Sequence, residues 1–434
     1  MAPRLDSLRY TVYIRYSALI VISTVDSTVS QKISQLKEEV LMSDTGNDEI
    51  LKALVAAVEL PDSAYEKARE RYEDLGEWLG LPSSNVSKYS PHIIPQGSFR
   101  LGTAIRPLSE KEEYDLDITC RLETGLTMEN TAQADLRSMV RKDIEAYRKE
   151  RGIQAPLGEK HRCLRLDYQD HLSFHMDIVS CIPDSLESRA LLEKAFSQRA
   201  YSASLIQKVS PMASRITDDR SPNYRTISSI WLRSNPEGYA RWFEERMLSQ
   251  TLLKSFQERA QVDSLPSYKR RVPLQRAIQV LKRHRDWMFK DMPDSKPISM
   301  ILTTLAAQAY NGEEDLESTL FSVLNRMERM ASQTKPRVPN PVNPEEDFAD
   351  KWDDPQYASL RLEENFRKWL LQAKADFSRI LASTSPEELR KSTSNFSVTL
   401  RESEAERLTK GRSPKPTPPI VIIPKDPPKP WMDL

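Results

Sequence analysis

Three carboxylates and one glycine-punctuated loop are the residues here that could do chemistry. Gln96-Gly97-Ser98-Phe99-Arg100-Leu101-Gly102-Thr103 comes first, Glu113-Tyr114-Asp115-Leu116-Asp117-Ile118-Thr119-Cys120 follows, and Phe174-His175-Met176-Asp177-Ile178-Val179 lies further on. Mg²⁺ favours one or a few carboxylates completed by water and phosphate oxygens, which this set can provide. Gly97 and Gly102 allow the backbone to come close to an anion, and consecutive N–H groups can cradle phosphate oxygens. With the Ser98 hydroxyl, the Gln96-Gly97-Ser98 segment is expected to hold the β- and γ-phosphates of a nucleoside triphosphate. No Gly-Lys-Ser/Thr follows, so this is not a Walker loop. The implied chemistry is attack on an α-phosphorus beside bound metal.

Alternation indicates the geometry that must position these groups. In Tyr114–Leu122 the apolar residues Tyr114, Leu116, Ile118, Cys120 and Leu122 share one parity, and Asp115, Asp117 and Thr119 take the other. Side chains two apart on a strand face the same way, so Asp115 and Asp117 lie about 6–7 Å apart on one face. Phe174, Met176 and Ile178 alternate likewise with His175 and Asp177. If the two strands are neighbours, Asp177 joins the pair and the three carboxylates can hold two Mg²⁺ ions, with Mn²⁺ as the alternative ion. His175 reads as a strand neighbour, not a ligand. Any one of these pieces is common on a solvated strand face or in an ordinary loop. Their order, with parity right at both carboxylate sites, is what points to catalysis.

The surrounding elements fit an α/β lobe. Pro61-Asp62-Ser63 offers N-cap chemistry, and Tyr65, Ala68, Tyr72, Leu75 and Leu79 follow helical spacing to Gly80-Leu81-Pro82. This helix is expected to pack across both lobes. A second helix carries Leu136, Met139, Val140, Ile144 and Tyr147 and ends near Gly152. Strands at Cys163–Tyr168 and Leu172–Cys181 meet at a Gln169-Asp170-His171 turn, and Pro183 is expected to end the sheet. Beyond about residue 190 the pattern turns helical, with one apolar stripe through Leu274, Ala277, Ile278, Leu281 and Met288 and another through Ile298, Ile301, Leu302, Leu305 and Ala309. The basic run Lys269–Lys290 reads mostly as a solvated helix face. The organisation expected is an N-terminal extension 1–41, read as dispensable or a non-native start-site artefact with a natural start at Met42, a catalytic core 42–190, a helical lobe 191–410 and a Pro-rich disordered tail 411–434.

Composition narrows the function. The chain has 434 residues, and its 63 Lys and Arg balance 63 Asp and Glu. Long nucleic acid is held through many Lys/Arg–phosphate contacts, so a neutral chain argues against obligate dependence on it. Three cysteines without Cys-x-x-Cys spacing read as reduced thiols of a cytoplasmic protein, not as a zinc site. Ala18–Val25 is too short to span a bilayer, which needs about 20 apolar residues.

The order Gly-Ser, Asp-x-Asp and a distant strand Asp resembles the signature of the DNA polymerase β-like nucleotidyltransferase superfamily. The string GSFRLGTAIRPL…EYDLDI, with NPEGYARWF (Asn235–Phe243), PLQRAIQVLKRHRD (Pro273–Asp286), KPISMILTTLAAQAY (Lys296–Tyr310) and NPVNPEEDFADKW (Asn340–Trp352), resembles the bacterial cGAS/DncV-like nucleotidyltransferases (CD-NTases) over roughly residues 60–400. That resemblance implies a nucleotidyltransferase lobe with a mixed sheet packed against a mainly α-helical C-terminal lobe. It implies template-independent synthesis of a cyclic di- or trinucleotide from nucleoside triphosphates, ATP among them, in anti-phage (CBASS) signalling. By the same resemblance Lys282 and Ser299 contact the triphosphate, Tyr239 is a candidate for base stacking, and the C-terminal tail docks an accessory protein. Linear oligoadenylate synthesis, RNA tailing and an inactive nucleotide-binding module stay open as alternatives.

Overall fold

The computed structural model describes residues 46–109, 114–168, 174–199, 201–248, 271–331, 334–394 and 396–412. Helices α1 (46–58) and α2 (Asp62–Gly80) lead into strand β1 (Pro91–Pro95), the short helix α3 (Gly97–Arg100) and strand β2 (Tyr114–Leu122). Helix α4 (Gln133–Glu150) is followed by β3 (Gly158–Glu159), β4 (Cys163–Tyr168) and β5 (Phe174–Pro183). Helices α5 (Leu186–Gln198) and α6 (Ala203–Val209) precede β6 (Ser214–Ile216) and β7 (Leu232–Ser234). The rest is helical: α7 (Pro236–Met247), α8 (Pro273–Met288), α9 (Ser299–Ala309), α10 (Leu316–Met330), α11 (Leu362–Ala382), α12 (Pro386–Ser394) and α13 (Glu402–Thr409).

The sheet is mixed, in the order β1-β2-β5-β4-β3, with β6 on β5 and β7 on β6. β2 and β5 run parallel, and the other pairs are antiparallel. The parity read from the sequence decides which face is covered. Leu116, Ile118, Cys120 and Leu122 of β2 and Phe174, Met176 and Ile178 of β5 are fully buried against Leu75 and Leu79 of α2 and Leu136, Val140 and Ile144 of α4. Each such side chain contributes about 1.5–3 kcal/mol on burial, so a register slip of one residue would exchange this core for the acidic face.

A second hydrophobic core lies among the helices, centred on Leu274, Ile278 and Leu281 of α8, Leu302 and Leu305 of α9, and Phe366, Trp369 and Phe377 of α11. The expected bridging helix α2 places its buried apolar residues in the sheet core alone. It is α1 that enters the helical core, through Ile50, Leu51, Leu54, Val55 and Val58. Helix α2 also lacks the expected side-chain cap: Pro61 is its N-cap residue, and Asp62 is the first helical residue. Pro183 ends β5 but not the sheet, since β6 and β7 extend it from residues after 190. Strands of three residues carry too little alternation to be recognised in sequence. No helix among the described residues is long and apolar enough to cross a membrane. The proposed extension 1–41, the start at Met42 and the 169–171 turn lie outside the described residues, as does the tail beyond Arg412.

Candidate active site

The parallel pairing of β2 with β5 sets Asp117 directly opposite Asp177, and Asp115 opposite His175. One oxygen from each of Asp115, Asp117 and Asp177 can be chosen so that all three lie within 4.8 Å of one another. Three anionic oxygens this close are a fit for hard divalent cations, and the burial of Asp117 makes its ionisation costly without them. Burial, followed by the charges of Asp115 and Asp177, pushes the Asp117 carboxyl up from 3.8 to about 7, with His175 and Arg165 pulling the other way. Asp177 moves in the opposite direction. Burial would raise it, but Arg165 donates to both of its oxygens at 2.6 and 2.7 Å and Lys160 adds a third bond at 3.2 Å, so its pKa falls below the ordinary value. His175 places Nε2 2.6 Å from Asp115 Oδ1. It therefore positions the most exposed of the three carboxylates, more than the strand-neighbour reading allowed.

The phosphate loop sits against β2. Gln96 N–H donates to the Asp117 carbonyl at 2.9 Å, its side-chain amide donates to Ile118 O at 3.3 Å, and its Oε1 accepts from the Thr119 hydroxyl at 3.2 Å. Its side chain thus fastens the loop to the strand. Gly97 has φ +66°, and a Cβ there would overlap Asp117 Oδ2. Glycine is required twice, by conformation and by contact with the carboxylate. The Ser98 hydroxyl is half-buried and makes no hydrogen bond to another described residue. It is thus available for an anionic oxygen.

The loop also joins the two cores. Phe99 packs edge-on to Tyr65, with ring centroids 5.3 Å apart, in the sheet core, while Leu101 belongs to the helical core. Arg100 forms a two-pronged pair with Glu237 at 3.0 and 3.1 Å and reaches Glu244 at 2.7 Å, both on α7.

Helix α8 then grips the loop's carbonyls. Gln275 donates to Leu101 O at 2.8 Å, Gln279 to Ala104 O at 2.9 Å, Lys282 to Thr103 O and Oγ1 at 3.1 Å each, and Arg283 to Arg106 O at 2.6 Å. Positions 275, 279, 282 and 283 share one helix face, so a single face holds a strandless segment by its carbonyls. Arg283 and Arg285 are buried, which corrects the solvated-face reading for these two cations of the basic run, and Lys282 is buried beside them. Sequence periodicity missed this because the face is polar, and polar faces of helices ordinarily meet water. The signal available was the pair of glutamines at i and i+4, which are neither charged nor apolar.

The residues assigned by resemblance divide. Burial, helped by the Arg285 charge, pushes the Lys282 ammonium down to about 7, against the pull of Asp286 and Asp117. Ser299 begins α9, and its hydroxyl accepts from Arg285 at 2.9 Å. Arg285 is itself paired with Asp286 at 2.7 Å, and Asp286 with Lys296 at 3.2 Å. Tyr239 is no base platform: it is buried, packs on Trp242 at 5.2 Å and bonds Thr304 at 2.8 Å.

The chain is similar to known proteins. A family model described as cyclic GMP-AMP synthase DncV-like, nucleotidyltransferase domain, matches residues 91–180. A c-di-GMP synthase of Roseivirga ehrenbergii is 30% identical over 315 residues, which span 71% of this chain and 73% of that protein. The cyclic dinucleotide synthase CdnG of Bradyrhizobium diazoefficiens is 24% identical over 329 residues, 71% of either chain. Among solved structures, the B. diazoefficiens CD-NTase CdnG in complex with GTP matches with a TM-score of 0.56 at 20% identity, covering 84% of this chain and 98% of that one, a likeness of fold.

Proposed function

Since the chain belongs to the cGAS/DncV-like nucleotidyltransferases (CD-NTases), we propose that it joins nucleoside triphosphates without a template and closes the product into a cyclic di- or trinucleotide, with GTP among its substrates. The observation that carries this is the convergence of Asp115, Asp117 and Asp177 beside a loop whose Gly97 touches Asp117. Guanine is favoured over the adenine expected from sequence because one relative is a c-di-GMP synthase and another was solved with GTP. Divalent cations held by the three aspartates, Mg²⁺ being the natural choice, would neutralise the transferred phosphate and acidify the acceptor hydroxyl.

The protein's own residues position the substrate. Backbone N–H groups at Gly97 and Ser98, with the Ser98 hydroxyl, hold the β- and γ-phosphates. Gln96 keeps that loop in register with β2, and Lys282, already bonded to Thr103, supplies positive charge from the helical side. An arriving polyanion raises the Lys282 pKa back toward its ordinary value, so phosphate binding recovers a charge that burial suppresses. Ser299 stands at the N-terminus of α9 with Arg285 orienting its hydroxyl, and it holds the end of the phosphate tail. Catalysis is then positioning and charge stabilisation by a prebuilt site.

The product would serve as a signal in anti-phage (CBASS) defence, made in the cytoplasm where nucleotides are found, and the Pro-rich segment 413–434 would dock an accessory protein. The test is incubation with all four nucleoside triphosphates and Mg²⁺, phosphatase treatment and mass spectrometry. A cyclic, guanine-containing, phosphatase-resistant product is expected. Linear oligomers alone, or label transferred to an RNA primer, would favour the tailing reading, and nucleotide binding without pyrophosphate release would favour an inactive module.

A further inference from the structure

Helix α5 turns Ser188, Leu192 and Phe196 inward, and its outward face exposes apolar groups to solvent. Leu186 is 77% exposed and Leu191 67%, the two most exposed of the large hydrophobic residues described. Glu187, Ala190, Leu191 and Lys194 recur on this face at i, i+3, i+4 and i+7, the spacing of a helix that packs against another element. Ala190 is small enough to let a second helix approach closely. Glu187 and Lys194 are exposed, and neither forms an ion pair with another described residue. Leu191 stands next to Ser188 at i+3, and Ser188 Oγ accepts from Arg215 at 2.6 Å and Arg233 at 2.7 Å. Arg215 also holds Trp231 O at 2.8 Å, which brings the exposed Ile230 and Leu232 to this end of the helix. The apolar surface is therefore wider than α5 alone.

We infer that α5 is a self-association surface, on which α5 of a second copy of this chain lies antiparallel about a two-fold axis. The stripe is its own complement. With the axis between Ala190 and Leu191, residue 187 of one copy lies level with residue 194 of the other, and 190 with 191. Glu187 then meets Lys194 of the partner subunit, and the symmetry repeats the pair at the other end. A partner of unrelated sequence would need no charges of opposite sign placed symmetrically about the centre of the stripe. Ion pairs at an exposed rim fix orientation and register more than strength, and the leucines closing over Ala190 supply the burial. The contact is remote from the carboxylates: β5 runs from Asp177 to Pro183 before α5 begins, about 20 Å of strand. Self-association is thus independent of the chemistry proposed above.

Sedimentation analysis of the full chain over about 1–200 µM tests this, since a face this small should give a weak dimer. The wild type is expected to show a concentration-dependent monomer–dimer equilibrium. Glu187→Lys and Lys194→Glu each set like charges together at both ends of the stripe, and each is expected to weaken self-association about tenfold or more. Leu191→Asp is expected to abolish it. Thermal unfolding in parallel should show all three variants as stable as the wild type, because these side chains face solvent. The equimolar mixture of Glu187→Lys with Lys194→Glu is the sharpest arm. In that heterodimer both pairs join opposite charges again, one in the native sense and one reversed, so dimer should return to within about threefold of the wild type. A wild type that stays monomeric throughout, a dimer indifferent to the charge reversals, or a mixture that fails to recover it would each overturn the inference.

Discussion

Asp117→Asn separates what the acidic cluster does for the reaction from what it does to the fold. Asparagine keeps the shape of the side chain and removes the charge. In the wild type the Asp117 carboxyl is pushed up from 3.8 to about 7, first by burial and then by Asp115 and Asp177. The folded state thus holds a proton that the unfolded chain releases within this interval. The stabilisation belonging to the neutral form is complete below pH 3.8 and is lost as the pH rises through about 7. At about 1.36 kcal/mol per pH unit, full ionisation without metal destabilises the fold by at most about 4 kcal/mol. Side-chain relaxation and water in the open cleft reduce that to about 1–2 kcal/mol, or about 1–2 °C in Tm for a chain of this size.

The assay is thermal unfolding of both proteins in EDTA at pH 5 and pH 8, and again at pH 8 with Mg²⁺. Asp117→Asn should be more stable than wild type at pH 8 in EDTA, and the gap should narrow at pH 5. Mg²⁺ should raise the wild-type Tm more than that of the variant. Turnover of the variant should fall by about three orders of magnitude or more, in line with loss of a transition-state charge contact. A variant no more stable than wild type at pH 8, or a gap independent of pH, would refute the idea that three charges are crowded at this point.

Three further outcomes follow from the same geometry. Gly97→Ala should cut turnover at least about a hundredfold while lowering stability by about 1–2 kcal/mol, because its Cβ displaces Asp117 and its backbone has positive φ; steady-state kinetics with parallel unfolding curves check this. Gln279→Ala leaves the buried Ala104 carbonyl without its donor and should cost about 1–3 kcal/mol, together with a raised KM for nucleotide, as measured by chemical denaturation and kinetics. Lys282→Met removes an ammonium whose charge burial already suppresses but leaves the buried Thr103 oxygens without their donor, so it should lower stability by about 1–3 kcal/mol and bind triphosphate about tenfold or more weakly, as read by chemical denaturation and isothermal titration.

How much was legible in the sequence depends on what each element buries. The carboxylate strands could be read because β2 and β5 have one covered face and one open face, so parity alone set Asp115, Asp117 and Asp177 apart from Leu116, Ile118 and Met176. That the two strands are neighbours could not be read, since pairing is a tertiary choice. Gly97 was recognised for its backbone freedom, but its contact with Asp117 needed the fold. The α8 clamp was misread because Arg283 and Arg285 look like solvent-facing cations until the carbonyls they donate to, Arg106 and Pro297, are in place. Arg100 was passed over for the same reason: its partners Glu237 and Glu244 lie more than a hundred residues away in the chain. Strands β6 and β7 are too short for any periodicity to register.

The most direct measurement is a crystal structure of the protein soaked with the α,β-methylene analogue of GTP and Mn²⁺, with anomalous scattering used to locate the ions. Anomalous peaks coordinated jointly by Asp115, Asp117 and Asp177, with the β- and γ-phosphates on Gly97 and Ser98, are the predicted result. Nucleotide bound elsewhere, or Asp177 still held by Arg165 with no ion among the three carboxylates, would contradict it.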